Sequence, residues 1–81
     1  MSRLSLVLED LALGNFRLTR HALVRMAQRT VTKADIRQVG RFGVVKSSIG
    51  GKIKVIGEDL DGDALTVVCV YECGTLVITV F

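Results

Sequence analysis

Thr19-Arg20-His21-Ala22-Leu23-Val24-Arg25-Met26-Ala27-Gln28-Arg29, followed by Thr30-Val31-Thr32-Lys33-Ala34-Asp35-Ile36, decides the architecture, because it reads as two capped helices in succession. Thr19 brings the side-chain oxygen of an N-cap, and Leu23, Met26 and Ala27 predict an apolar face on a helix over residues 20–29. Thr30, Val31 and Thr32 are β-branched and disfavour its continuation. Thr32 with Asp35 three residues on resembles a capping box with Asp in the place of Glu. It opens a second helix over residues 33–41 that buries Ile36 and Val39.

Upstream, Leu4, Val7, Leu8 and Leu11 predict a short amphipathic helix over residues 4–13, ended by Gly14 and Asn15, with a strand as the alternative. Downstream of Gly43 the helical period gives way to alternation. Val44 and Val45 begin a strand, residues 47–51 are expected to be a flexible loop, and residues 52–58 alternate around Ile53 and Val55. Asp61-Gly62 between two strand-like runs predicts a tight hairpin turn. Strands over residues 64–71 and 75–81, joined by a turn at Glu72, Cys73 and Gly74, complete a meander. The expected fold is therefore α+β, with N-terminal helices packed on a three- to four-stranded antiparallel meander sheet. The last two strands are apolar on both faces, so the second face is expected to be covered by the N-terminal segment or by another subunit, as in a homodimer.

At 81 residues there is room for one small core, and the expectation is a single domain over residues 1–81. A hydrophobic fraction of 49% with 23% charged residues argues against disorder. Cys69 and Cys73 are too few and too close to be a disulfide framework, and no secretory signal or membrane-spanning run is visible, so a soluble cytoplasmic protein is expected. Charge is unevenly spread. Residues 1–41 carry eight Lys/Arg against Glu9, Asp10 and Asp35, whereas residues 42–81 carry Lys46, Lys52 and Lys54 against five acids. A basic first half suits an anionic partner, either nucleic acid or an acidic protein, although a solvated helix surface reads the same way.

Basic residues recur four apart at Arg25, Arg29, Lys33, Arg37 and Arg41, with His21 and Arg17 continuing the series upstream. Within one helix that spacing makes a ridge, and the joint at residues 30–32 divides it. His21, Arg25 and Arg29 form the sharper group. Guanidinium groups can hold a phosphate through paired hydrogen bonds, and an imidazole can exchange a proton near neutral pH. Together they are a kit for cleaving RNA without a metal. The alternative is that His21 caps or packs the helix while the arginines are solvated or pair with acids of the sheet turns. Three look-alikes are set aside, and neither a metal nor another cofactor is expected. Asp59-Leu60-Asp61-Gly62-Asp63 has its glycine too early for a calcium loop, and Ser48-Ile49-Gly50-Gly51-Lys52 lacks the Walker spacing. Cys69 and Cys73 with the distant His21 do not complete a zinc site.

The stretch Leu18 to Arg29, with Val31, Thr32, Asp35 and Ile36, resembles the T-x-H-A-x-x-R-M-x-x-R opening of a small bacterial domain family of unknown function. The later glycine loop, the Asp61-Gly62 turn and the final Val77-Ile78-Thr79-Val80-Phe81 strand match it as well. The resemblance implies a relation in fold to BrnT-like and RelE-like ribonuclease toxins, whose relatives cut RNA and are held inactive by an antitoxin. It implies His21, Arg25 and Arg29 as the catalytic group, with Thr79 a weaker addition. The chain holds one histidine, so an acid/base pair would be completed by Tyr71 or an arginine. Arg17, Lys33, Arg37 and Arg41 would bind the nucleic acid. The leading expectation is a toxin-like, metal-independent ribonuclease of a toxin–antitoxin system, or a degenerate relative. Its competitors are a non-catalytic module that binds nucleic acid or an acidic partner protein, and a homodimeric regulatory protein.

Overall fold

The computed structural model describes residues 3–81. Its elements run α1 (Arg3–Leu13), β1 (Phe16–Leu18), α2 (Arg20–Arg29), α3 (Lys33–Phe42), β2 (Val44–Ile49), β3 (Lys52–Glu58), β4 (Ala64–Tyr71) and β5 (Thr75–Val80). The domain is α+β, as expected, but the sheet is five-stranded and mixed, in the order β1-β5-β4-β3-β2. β2 to β5 form the antiparallel meander, and β1 adds to the outer edge of β5 in parallel, with Phe16 opposite Thr75 and Leu18 opposite Val77. A three-residue strand has no readable period, and it exists here because its partner is supplied from 59 residues down the chain.

The helix ends follow local chemistry. α1 stops where the Asn15 N–H donates to Asp10 O at 2.8 Å and the Gly14 N–H to Leu11 O at 3.2 Å. α2 ends on Thr30, which takes a left-handed φ of 55° while its N–H donates to Ala27 O and that of Val31 to Met26 O. α3 opens on the expected capping box. The Thr32 N–H donates to Asp35 Oδ2 at 2.8 Å, and the Asp35 N–H reaches back to Thr32 Oγ1 at 3.4 Å. The other carboxylate oxygen accepts from the Leu60 N–H at 2.9 Å, tying the β3–β4 loop to the start of α3.

Two turns differ from expectation. Residues 47–51 are not a loop: β2 continues to Ile49, and Gly50-Gly51 alone make the turn, with φ of 60° and 79°. Two successive left-handed positions match the twist of a hairpin, which only glycines accept readily. Asp61-Gly62 in turn is not a two-residue turn, since Glu58 pairs with Ala64 and five residues lie between them. The Asp59 carboxylate shapes that longer loop by accepting from the Asp61 and Asp63 N–H groups, each at 2.9 Å.

One core unites the helices with one sheet face. Val7 and Leu11 of α1, Ala22 and Met26 of α2, and Ile36 and Val39 of α3 pack with Ile53, Val55, Leu65, Val67, Cys69, Val77 and Val80. On α2 the buried pair is Ala22 and Met26, whereas Leu23, expected inside, is 52% exposed and Ala27 is also exposed. α1 lies so close to α3 that a Cβ on Gly40 would stand 2.4 Å from the Ala12 nitrogen. The N-terminal segment thus joins the helical layer, and the Thr75 hydroxyl fastens it by donating to Asp10 Oδ2 at 2.8 Å. It does not cover the second sheet face, because α1 spends its apolar stripe on the core that α3 shares. No described helix is long and apolar enough to cross a membrane.

Candidate nucleic-acid interface

Thr19 sets the position of α2. Its backbone is extended, its hydroxyl oxygen accepts from the Ala22 N–H at 3.0 Å, and the same hydroxyl donates to Ile78 O at 2.8 Å. Its own N–H donates to Val77 O at 3.0 Å. One residue therefore caps the helix and bolts its first turn to β5. The bolt sits at a bulge: Cys69 pairs with Val77 and Val68 with Thr79, leaving Ile78 as the extra residue.

From that anchor α2 runs along β5 beyond the part β1 covers. Ala22 and Met26 are buried, so the neighbouring ridge of His21, Arg25 and Arg29 emerges at the side of the sheet. His21 and Arg29 are exposed and Arg25 is half-buried. Arg25 Nε donates to Val80 O at 3.5 Å, and Arg29 Nη2 to Ala64 O at 3.4 Å. Both bonds are at the long limit and hold the side chains loosely. Each guanidinium has five donors, so most of its hydrogen-bonding capacity is uncommitted. Neither arginine pairs with an acid of the sheet turns among the described residues. His21 has no hydrogen-bond partner among them.

The rest of the basic series lies elsewhere. Arg17 Nη2 donates to Glu72 O at 2.6 Å on the β1 edge, and Lys33 Nζ stands 5.2 Å from the centroid of the Phe16 ring. Arg37 Nε donates to Ala12 O at 3.3 Å, and Arg41 helps line a cleft of about 130 Å³ with Ala34, Arg37, Gln38 and Leu60. α2 packs on β5 and α3 on α1 and β3, so the two halves of the series form separate surfaces. Tyr71 pairs with Thr75, three residues along β5 from the Ile78 carbonyl that anchors α2, and its side chain packs against the core on the helical side of the sheet. Arg25 lies one helical turn from His21. Thr79 pairs with Val68 and so lies on the sheet face opposite to the helices, apart from the ridge. Sequence reading did not identify Thr19 as an anchor or the Val80 and Ala64 carbonyls as the arginine seats, which become visible only once α2 is laid along β5.

Two other groups bear on the chemistry. Cys69 is fully buried, its thiol donates to Ile53 O at 3.6 Å, and burial pushes its pKa up to about 12. It is an unreactive core residue, while Cys73 is exposed. No cluster of three or more His, Cys, Asp or Glu side chains suited to a metal ion occurs among the described residues.

Residues 18–81 match a family described as a domain of unknown function, DUF4258. The chain belongs to the DUF4258 family. The matched residues include the whole α2 ridge and the sheet strand that supports it, whereas α1 lies outside them yet contributes Val7 and Leu11 to the core. In this DUF4258 domain the spacing of the T-x-H-A-x-x-R-M-x-x-R stretch has a physical meaning: Thr19 anchors, Ala22 and Met26 bury, and His21, Arg25 and Arg29 are presented. No curated protein and no solved structure matches the chain.

Proposed function

We propose that the protein is a toxin-like, metal-independent endoribonuclease, or a degenerate relative of one, that binds the RNA backbone along α2. The observation that carries this reading is the ridge itself, an exposed imidazole one turn from a half-buried guanidinium and two turns from a second. The helix-then-meander order and the α2 motif support a relation in fold to BrnT-like and RelE-like toxins, and a cytoplasmic setting with an antitoxin would follow from it. In the reaction His21 accepts the proton of a ribose 2′-hydroxyl as its oxygen attacks the adjacent phosphorus. Arg25 and Arg29 donate hydrogen bonds to the non-bridging oxygens as charge builds on them. The bond to the 5′-oxygen breaks, that oxygen takes a proton from water, and a 2′,3′-cyclic phosphate is left.

The second reading is a non-catalytic RNA-binding module, favoured by the absence of a group orienting His21 among the described residues. A labelled single-stranded RNA incubated with purified chain in excess EDTA separates the two. Cleavage by the wild type, lost in His21→Ala while the RNA still binds, supports the enzyme; intact RNA with equal binding by both proteins overturns it in favour of the module.

A further inference from the structure

The sheet face turned away from the helices carries a surface that the ribonuclease reading does not use. The register places Ile49 opposite Lys52, Lys54 opposite Val68, and Val68 opposite Thr79, so these side chains share that face. Ile49 is 77% exposed, Val44, which pairs with Ile56 on the same face, 64%, and Phe81 46%, so the face presents several apolar side chains to water. Ile49, Gly50, Lys52, Lys54 and Val68 bound a groove of about 470 Å³. Lys54 Nζ lies 5.6 Å from the Phe81 ring centroid, which keeps its ammonium over the apolar face. Alternation also assigns Arg17 and Glu58 to this face, so its charge is predominantly basic.

We infer that this face docks an acidic amphipathic segment of a partner protein. Its apolar side chains seat on Ile49 and Phe81 across the groove floored by Val68, and its carboxylates pair with Lys52 and Lys54. A second copy of the chain is the poorer occupant, because it brings the same excess of basic groups to the contact. A nucleic acid would satisfy the lysines and stack a base on Phe81, but it leaves Ile49, the most exposed apolar side chain of the face, without an apolar partner. The inference does not rest on the ribonuclease reading, since α2 lies on the helical side of the sheet.

The test titrates isotopically labelled full-length chain with a synthetic helical peptide carrying Leu on one face and Glu on the other, and with a control in which Lys replaces Glu. Amide shifts at Ile49, Lys54 and Val68, with affinity about tenfold weaker in Lys52→Glu/Lys54→Glu and in Ile49→Ser, are the expected result. Both variants alter exposed or half-buried positions, and their circular dichroism checks the fold. The readout is peptide binding, so failure of the ribonuclease reading at His21 leaves this test unaffected. Shifts confined to α2, equal binding of the Lys control, indifference to the variants, or self-association by sedimentation that Ile49→Ser abolishes would overturn the inference.

Discussion

Replacing Asp35 by Ala removes the most heavily used side chain of the fold. The residue is 8% exposed, and its carboxylate accepts from the Thr32 N–H at 2.8 Å, the Thr32 hydroxyl at 3.0 Å and the Leu60 N–H at 2.9 Å. A capping interaction contributes about 1 kcal/mol. A hydrogen bond to a charged acceptor contributes about 1.5–3 kcal/mol, of which the lower end applies at Leu60, because that residue is exposed and water can replace the carboxylate. The expected loss is therefore roughly 2–3 kcal/mol, or about 10–20 °C in Tm at ~4–8 °C per kcal/mol for a domain of this size. The pH dependence identifies the cause. Burial acts to raise the Asp35 pKa, but the N–H groups of Leu60 and Thr32 and the Thr32 hydroxyl outweigh it and hold the pKa below its ordinary value. A carboxyl with a depressed folded-state pKa contributes stability that is fully present above the unfolded value of about 3.9 and is lost as pH falls through the folded value. Urea melts followed by circular dichroism at pH 7, 5, 4 and 3 should show the gap between wild type and Asp35→Ala narrowing below about pH 4. A gap that stays constant across that range, or one below about 0.5 kcal/mol at pH 7, would refute the assignment of the carboxylate as the tie between α3 and the β3–β4 loop.

Gly40→Ala should cost about 3 kcal/mol or prevent folding, because the new methyl group meets the backbone of α1 at Ala12 rather than a side chain that can turn away; thermal melts of the purified variant measure it. Thr30→Gly should raise stability by about 0.5–1 kcal/mol, since a β-branched residue at φ 55° bears a left-handed penalty of ~1–2 kcal/mol that glycine relieves at some cost in chain entropy. A gain in urea midpoint is the expected result, and no gain would mean that the turn is unstrained. Thiol labelling at pH 8 should modify Cys73 within minutes and leave Cys69 unmodified until the chain unfolds, because burial holds its pKa near 12; equal rates would show that the core opens at that strand.

α2 and α3 were legible because their limits are set by caps within four residues of each helix end. Thr19, Thr30 and the Thr32–Asp35 pair do locally what the sequence suggests. β1 and the bulge at Ile78 were not legible, since both depend on partners brought from far along the chain. The rotation of α2 differs from the sequence expectation for the same reason. Leu23 and Ala27 make as good a stripe as Ala22 and Met26 until Thr19 is fixed to Ile78 O, and that bond selects the second. The four-residue basic series was visible, but the left-handed Thr30 turns the chain between its halves, so regular spacing in sequence becomes two surfaces.

The sequence also leaves open whether acids of the sheet turns neutralise the α2 arginines, and among the described residues none pairs with Arg25 or Arg29. The Asp59 carboxylate is occupied by N–H groups of its own loop, Asp35 by Thr32 and Leu60, and Asp10 by the Thr75 hydroxyl. These three carboxylates hold turns and helix ends, and Arg25 and Arg29 bond to the Val80 and Ala64 carbonyls, which carry no net charge. The two guanidinium groups then keep their positive charge at the side of β5 next to an exposed imidazole. Arg37 on α3 likewise donates only to a carbonyl, Ala12 O, so what sets α2 apart is the exposed imidazole beside its two guanidinium groups, and that combination is the reason to look for an anionic ligand on α2 first.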